Sequence, residues 1–95
     1  MTERNLTDFQ IRCEHRLTGA LKQVGKSVSG RTLGGQAETY VTGTVSGSDL
    51  EFWIYEDGAN FKSPLGSRHF ENLDFNSQDE LAMAFTATLV KAVLS

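Results

Sequence analysis

The sequence predicts an α+β fold: a four-stranded antiparallel meander flanked by an N-terminal and a C-terminal helix, in the order α-β-β-β-β-α. Three observations carry this expectation. Apolar residues recur every three or four positions up to Val24 and again beyond Ser77, they alternate with period two in between, and Gly34-Gly35, Gly47-Ser48 and Asp57-Gly58 break that alternation into strands.

The first helix is announced by its cap. Thr7, with Gln10 three residues later, has capping-box spacing, and Leu6 and Ile11 flank it as a hydrophobic staple. Phe9, Cys13, Leu17, Ala20, Leu21 and Val24 then share one face. Gly25 suits the left-handed position that ends a helix, so residues 8–24 are expected to be helical.

If each turn pair centres a hairpin, the strand register follows. The first hairpin sets Val28 against Val41 and Arg31 against Glu38, and the second sets Val45 against Leu50, Gly43 against Phe52 and Val41 against Ile54. The third sets Ile54 against Phe61. All three place Val28, Val41, Val45, Leu50, Phe52, Ile54 and Phe61 on one face, with Gly43 leaving room for the Phe52 ring. The opposite face carries Arg31, Tyr40, Thr42, Glu51, Trp53, Tyr55, Asn60 and Lys62. There Tyr40 faces Tyr55, and Lys62 faces Trp53 at cation-π range.

Pro64 opens a connection, LGSRHFENLDF, in which a short edge strand around residues 69–72 is an open alternative. Ser77 and Glu80 form a second capping box, and the helix behind it runs to about Leu94, with Asp79 and Glu80 at its positive end and Lys91 near its negative end. Leu81, Phe85, Thr88, Leu89 and Ala92 make its core stripe. Met83, Ala87, Val90 and Leu94 make a second apolar stripe on the other side, expected to be a homodimer interface unless it packs on the first helix.

Ninety-five residues suit a single domain, 1–95, with one modest core. The lone Cys13 forms no internal disulfide, and Glu3 and Arg4 stand where a secretory leader would be apolar, so the cytoplasm is the expected compartment. No apolar run is long enough to span a bilayer, which excludes a membrane protein of the helical kind. The net charge of −3 is unevenly spread: Met1 to Leu33 holds six basic residues against three acidic ones, and the remainder three against nine. That balance disfavours direct nucleic-acid binding, which needs clustered cations, and favours a protein partner with a basic surface, such as a nucleic-acid-binding protein or complex.

No stretch carries a specific catalytic, cofactor or metal signature. Gly25-Lys26-Ser27 has the ending of a phosphate-binding loop, but five residues separate Gly19 from Gly25 where four are needed, and the segment leaves a helix instead of entering one. The stretch from Asp74 to Glu80 begins like a calcium loop, yet Asp79 and Phe85 stand where Gly and Glu are required. Cys13 and His15 point in different directions on their helix, so they make no nucleophile–base pair, and His69 has only Glu71 and Asp74 within local reach. The expectation is therefore a protein that is not an enzyme and needs no metal or cofactor.

The aromatic outer face is the leading site. Trp and Tyr dominate interface hot spots, so Tyr40, Trp53 and Tyr55, with Arg31, Glu51 and Lys62 around them, are the expected partner-binding residues. Two readings compete: cross-strand aromatic and Thr pairs stabilise the sheet for its own sake, or residues 65–75 fold over it.

Two segments, FWIYEDGANF and LDFNSQDELAMAF, resemble those of small acidic α/β proteins of bacterial conflict systems, namely immunity proteins and phage-encoded anti-CRISPR inhibitors. The resemblance implies a non-enzymatic inhibitor that occludes one macromolecular partner, and it assigns no roles to individual residues. A small acidic dimeric secretion chaperone, holding an unfolded segment on the same sheet, is the alternative.

Overall fold

The computed structural model describes residues 6–95, so Glu3 and Arg4 lie outside it. Helix α1 (Asp8–Gln23) starts at the Thr7 capping box, in which the Thr7 hydroxyl accepts the Gln10 N–H and the Gln10 side chain accepts the Thr7 N–H. It stops where Gly25 turns left-handed (φ 77°) and the Gly25 and Lys26 N–H groups close back onto Lys22 and Leu21 carbonyls. Leu6 packs on the core, while Ile11 stays half-exposed.

The sheet has five strands rather than four: β1 (Val28–Gly34), β2 (Tyr40–Val45), β3 (Glu51–Ile54), β4 (Gly58–Ser63) and β5 (Gly66–Glu71), antiparallel in chain order. The fifth is recruited by aromatic packing. Phe70 points inward, stacks 6.3 Å from Phe61 and meets Phe85 edge-on at 5.8 Å, while Phe75 behind it lies 6.3 Å from Phe70. A short 3₁₀ turn, Asn72–Asp74, leads to helix α2 (Gln78–Leu94). Its cap is half of the expected box: Ser77 Oγ accepts the Glu80 N–H, but the Glu80 carboxylate accepts from Asn76 instead of Ser77.

The second hairpin has the expected register, with Gly43 opposite Phe52 and Val41 opposite Ile54. A Cβ on Gly43 would stand 3.1 Å from the Phe52 ring, so the ring does fill the space left by the glycine. The first hairpin differs. Val28 pairs with Val45, not Val41, because Gly34-Gly35 is not the turn centre and the loop runs through residues 35–39. A bulge at residues 30–31, where Gly30 adopts φ 62°, then shifts the strand by one position, so that Leu33 pairs with Val41. The third hairpin is displaced by two residues, an even shift that keeps every side chain on its expected face: Phe61 pairs with Phe52 and Ala59 with Ile54.

Both helices lie on the same face of the sheet. Phe9, Cys13, Leu17 and Leu21 of α1 and Leu81, Phe85 and Leu89 of α2 join Val41, Phe52, Ile54 and Phe61 in one buried cluster. Within it, Gln10 is a fully buried polar side chain. Its amide donates to the Thr39 carbonyl at 2.7 Å and the Ile54 carbonyl at 3.2 Å, while its oxygen accepts from Thr7 at 2.9 Å. Gln10→Ala removes these bonds and takes the side-chain donor from the Thr39 carbonyl, so urea denaturation should show a loss of about 1–3 kcal/mol.

Candidate functional site

The outer face of the sheet is built by alternation, so each strand that sends a core residue inward sends its neighbours out. Trp53 stands between Thr42 on β2 and Asn60 on β4, and Asn60 pairs in turn with His69 on β5. Tyr40 and Tyr55 lie beside this row with ring centroids 5.4 Å apart and planes tilted by 54°. The Tyr40 ring also lies across Gly34, where a Cβ would come within 2.8 Å of it, so the bare glycine backbone is the platform on which the tyrosine rests. Burial, then the neighbouring Tyr40 and Glu38, hold the Tyr55 phenol above its ordinary pKa.

The segment 65–75 does not fold over these rings. It extends the sheet as β5 and then turns toward α2, so among the described residues both helices and the core lie on one side and the aromatic row faces away from them. Trp53, Tyr40 and Tyr55 are partly buried, by their cross-strand neighbours, and Glu51 and Lys62 are exposed.

Two expected members are placed differently. Lys62 pairs with Glu51, one pair removed from Trp53, because of the two-residue shift of the third hairpin; the expected Lys62–Trp53 pairing is replaced by Asn60–Trp53. Arg31 leaves the outer face altogether: the bulge turns it toward α1, where its guanidinium forms a two-point ion pair with Glu14, Nη2 to Oε1 being 3.0 Å. Its expected partner Glu38 instead accepts from the Glu56 N–H at 2.9 Å.

One part of the face was not anticipated. A hollow of about 470 Å³ adjoins Tyr55, lined among others by Asp57, Asn60, His69, Glu71 and Leu73. The alternation His69–Phe70–Glu71, one apolar residue between two polar ones, is the signal that marks these as outward strand residues.

The second stripe of α2 is also open. Met83 and Leu94 are 55% and 60% exposed, and with Ala87 and Val90 they line a shallow groove of about 610 Å³ whose far wall is Arg16, Ala20, Gln23 and Val24 of α1. Among the described residues, no group of His, Cys, Asp and Glu is arranged to hold a metal ion, and no helix is long and apolar enough to cross a membrane. Comparison with known protein families, curated proteins and solved structures finds no match to this chain.

Cys13 is fully buried, and burial pushes its thiol from an ordinary 9.0 up to about 12, so it is no nucleophile at neutral pH. The folded state therefore keeps a proton that the unfolded chain releases. That contribution to stability is complete below pH 9 and lost as pH rises toward 12, so urea midpoints should fall through this range, with a shallower slope for Cys13→Ala. The slope shrinks without vanishing, because the raised Tyr55 phenol acts with the same sign.

Proposed function

We propose that the chain is a non-enzymatic protein-binding module, an inhibitor that occludes a macromolecular partner with the outer face of its sheet. The observation that supports this reading most is the Tyr40–Tyr55 pair beside Trp53, on a face opposite both helices and the core. Aromatic side chains already held by cross-strand neighbours bring large contact area at little further cost in side-chain entropy. The resemblance to immunity and anti-CRISPR proteins points the same way, toward a partner with a basic surface.

The open stripe Met83, Ala87, Val90 and Leu94 favours a second reading, a dimeric chaperone that self-associates through its helices and holds an unfolded segment on the sheet. The two are separable by what is retained: a folded partner for the inhibitor, an extended effector segment encoded beside the chain for the chaperone.

Trp53→Ala decides whether the face acts at all. The variant should keep the wild-type thermal midpoint to within a few degrees yet lose the retained partner, with affinity at least tenfold weaker, as expected for a hot spot worth about 2 kcal/mol or more. A variant that unfolds, or that retains the partner unchanged, removes the aromatic face from the interface. Partner association should also slow as salt is raised, because Glu51, Glu56, Asp57 and Glu71 surround the rings. A rate indifferent to salt would rule out a basic target.

A further inference from the structure

The two edges of the sheet are treated differently. Edge β1 is defended: its bulge at residues 30–31 interrupts the ladder, and Arg31 is tied down to Glu14. Edge β5 is less defended, its only charges being Arg68 on the core side and Glu71 at its end. Its pairing with β4 is unbroken over six residues, it contains no Pro or Lys, and all of it but Phe70 is exposed. The Asn72 N–H still bonds inward to Asp57, so even-numbered residues complete the ladder with β4, and the backbone groups of Ser67, His69 and Glu71 point into the open edge. Just beyond its two ends stand Leu65 and Leu73, 81% and 96% exposed, the two most exposed large apolar side chains described.

We propose that a second copy of this chain pairs with this edge, β5 antiparallel to β5, joining two five-stranded sheets into one. Two symmetric registers overlap the strands most fully while pairing outward groups with outward groups. One sets Arg68 opposite the partner copy's Arg68, placing like charges face to face. The other centres on His69 opposite His69 of the second copy and sets Ser67 against Glu71 and Arg68 against Phe70. Beyond the strand ends it brings Leu65 toward Leu73 of the second copy, so the exposed leucines cover one another, and no Arg stands directly opposite another. Arg68 already lies 5.8 Å over its own Phe70 ring, so the second Phe70 gives it another aromatic neighbour. This second register is the one assigned.

The helices fit the arrangement. Because α2 packs over β4 and β5, strand spacing of about 4.8 Å sets the two α2 helices about 10 Å apart, near the usual helix-packing distance. The hollow beside Gly66, Ser67 and Arg68 is lined on the α2 side by Thr88, Ala92 and Ser95, small enough for that approach, together with Lys91. Strand edges and four leucines together hide on the order of 1,000 Å², the lower limit for specific association, so the dimer is a weak one. This inference stands whether or not the aromatic face is the partner surface.

Sedimentation velocity from about 1 to about 500 µM should show a monomer–dimer equilibrium. The Leu65→Asp/Leu73→Asp variant, with unchanged circular dichroism, should weaken it more than tenfold, while Met83→Asp/Leu94→Asp leaves it intact. Register is read by oxidative cross-linking, for which Cys13 is too buried to interfere. His69→Cys should give a disulfide-linked dimer, since paired residues of this kind stand about 5.5 Å apart, within disulfide reach. Ser67→Cys alone should not, but mixed with Glu71→Cys it should. A monomer throughout, dimerisation abolished by the helix variant but not by the leucine variant, or cross-linking of Ser67→Cys alone as efficient as that of His69→Cys would each overturn the proposal.

Discussion

One buried carboxamide, that of Gln10, sets the geometry on which the two faces of the molecule depend. Its amide hydrogens go to one loop carbonyl and one strand carbonyl and its oxygen to the helix N-terminus, so its side chain meets the start of α1, the loop into β2 and the end of β3 at one point. The two carbonyls it holds, Thr39 and Ile54, directly precede Tyr40 and Tyr55. A hydrogen bond made inside the core thereby fixes the backbone from which the aromatic pair projects on the opposite side. The same end of the sheet is laced further: Glu38 accepts from the Glu56 N–H, Glu56 accepts from the Thr39 N–H at 3.3 Å, and Gln78 of α2 donates to the Glu56 carbonyl at 3.3 Å. The buried bonds of Gln10 carry most of the constraint, because a buried unpaired polar group costs more than a typical hydrogen bond gains, and the exposed bonds around them add to it.

Much of the architecture was legible because local signals agreed. Thr7–Gln10 and Ser77 marked both helix starts, and the tight turn at Gly47-Ser48 set the β2–β3 register without error. The misreadings share a physical origin, which is that a glycine marks permissive backbone without saying what it permits. Gly30 serves a bulge and Gly35, at φ 103°, a five-residue loop, so the first hairpin slid by four residues and Arg31 went to the helix side. The turn centres on Glu56-Asp57, and Gly58 already begins β4. The slip there was two residues, and period-two patterning cannot distinguish registers that preserve the face. β5 was legible only as an open alternative around residues 69–72, and it runs over Gly66–Glu71. Its single inward aromatic, Phe70, is recognisable as core only once Phe61 and Phe85 are beside it.

Gln10 shows a further limit of reading along the chain. Its capping role is local and was anticipated; its two bonds to residues 29 and 44 positions away are not encoded in any spacing. The outer face is intermediate. Tyr40, Trp53 and Tyr55 could be assigned to one surface from the β2–β3 register alone, but the neighbours that complete that surface, Asn60, His69 and Glu71, depend on the β3–β4 and β4–β5 pairings.

The contrast between the faces is one of supply. With the core stripes of both helices and the inward apolar strand residues committed to one core, no element among the described residues is left to form a third layer, and the outer face is left uncovered. It is composed accordingly. Thr42 caps the Phe52 carbonyl at 2.9 Å, the Ser29 and Thr44 hydroxyls bond across strands at 3.0 Å, and the three large aromatics are partly buried among these polar neighbours instead of standing free. A surface of this kind needs no partner to remain folded. Yet Tyr40 is wedged between Gly34 and Tyr55, and Trp53 between Thr42 and Asn60, so their rotamer freedom is already spent in the isolated chain. Since the loss of side-chain freedom is a main cost of association, a face ordered beforehand for reasons of sheet stability is, by the same contacts, prepared for binding. The structural reading of the aromatic row and the proposed interactive one are thus compatible: the cross-strand packing that the first requires would lower the entropic cost of the second.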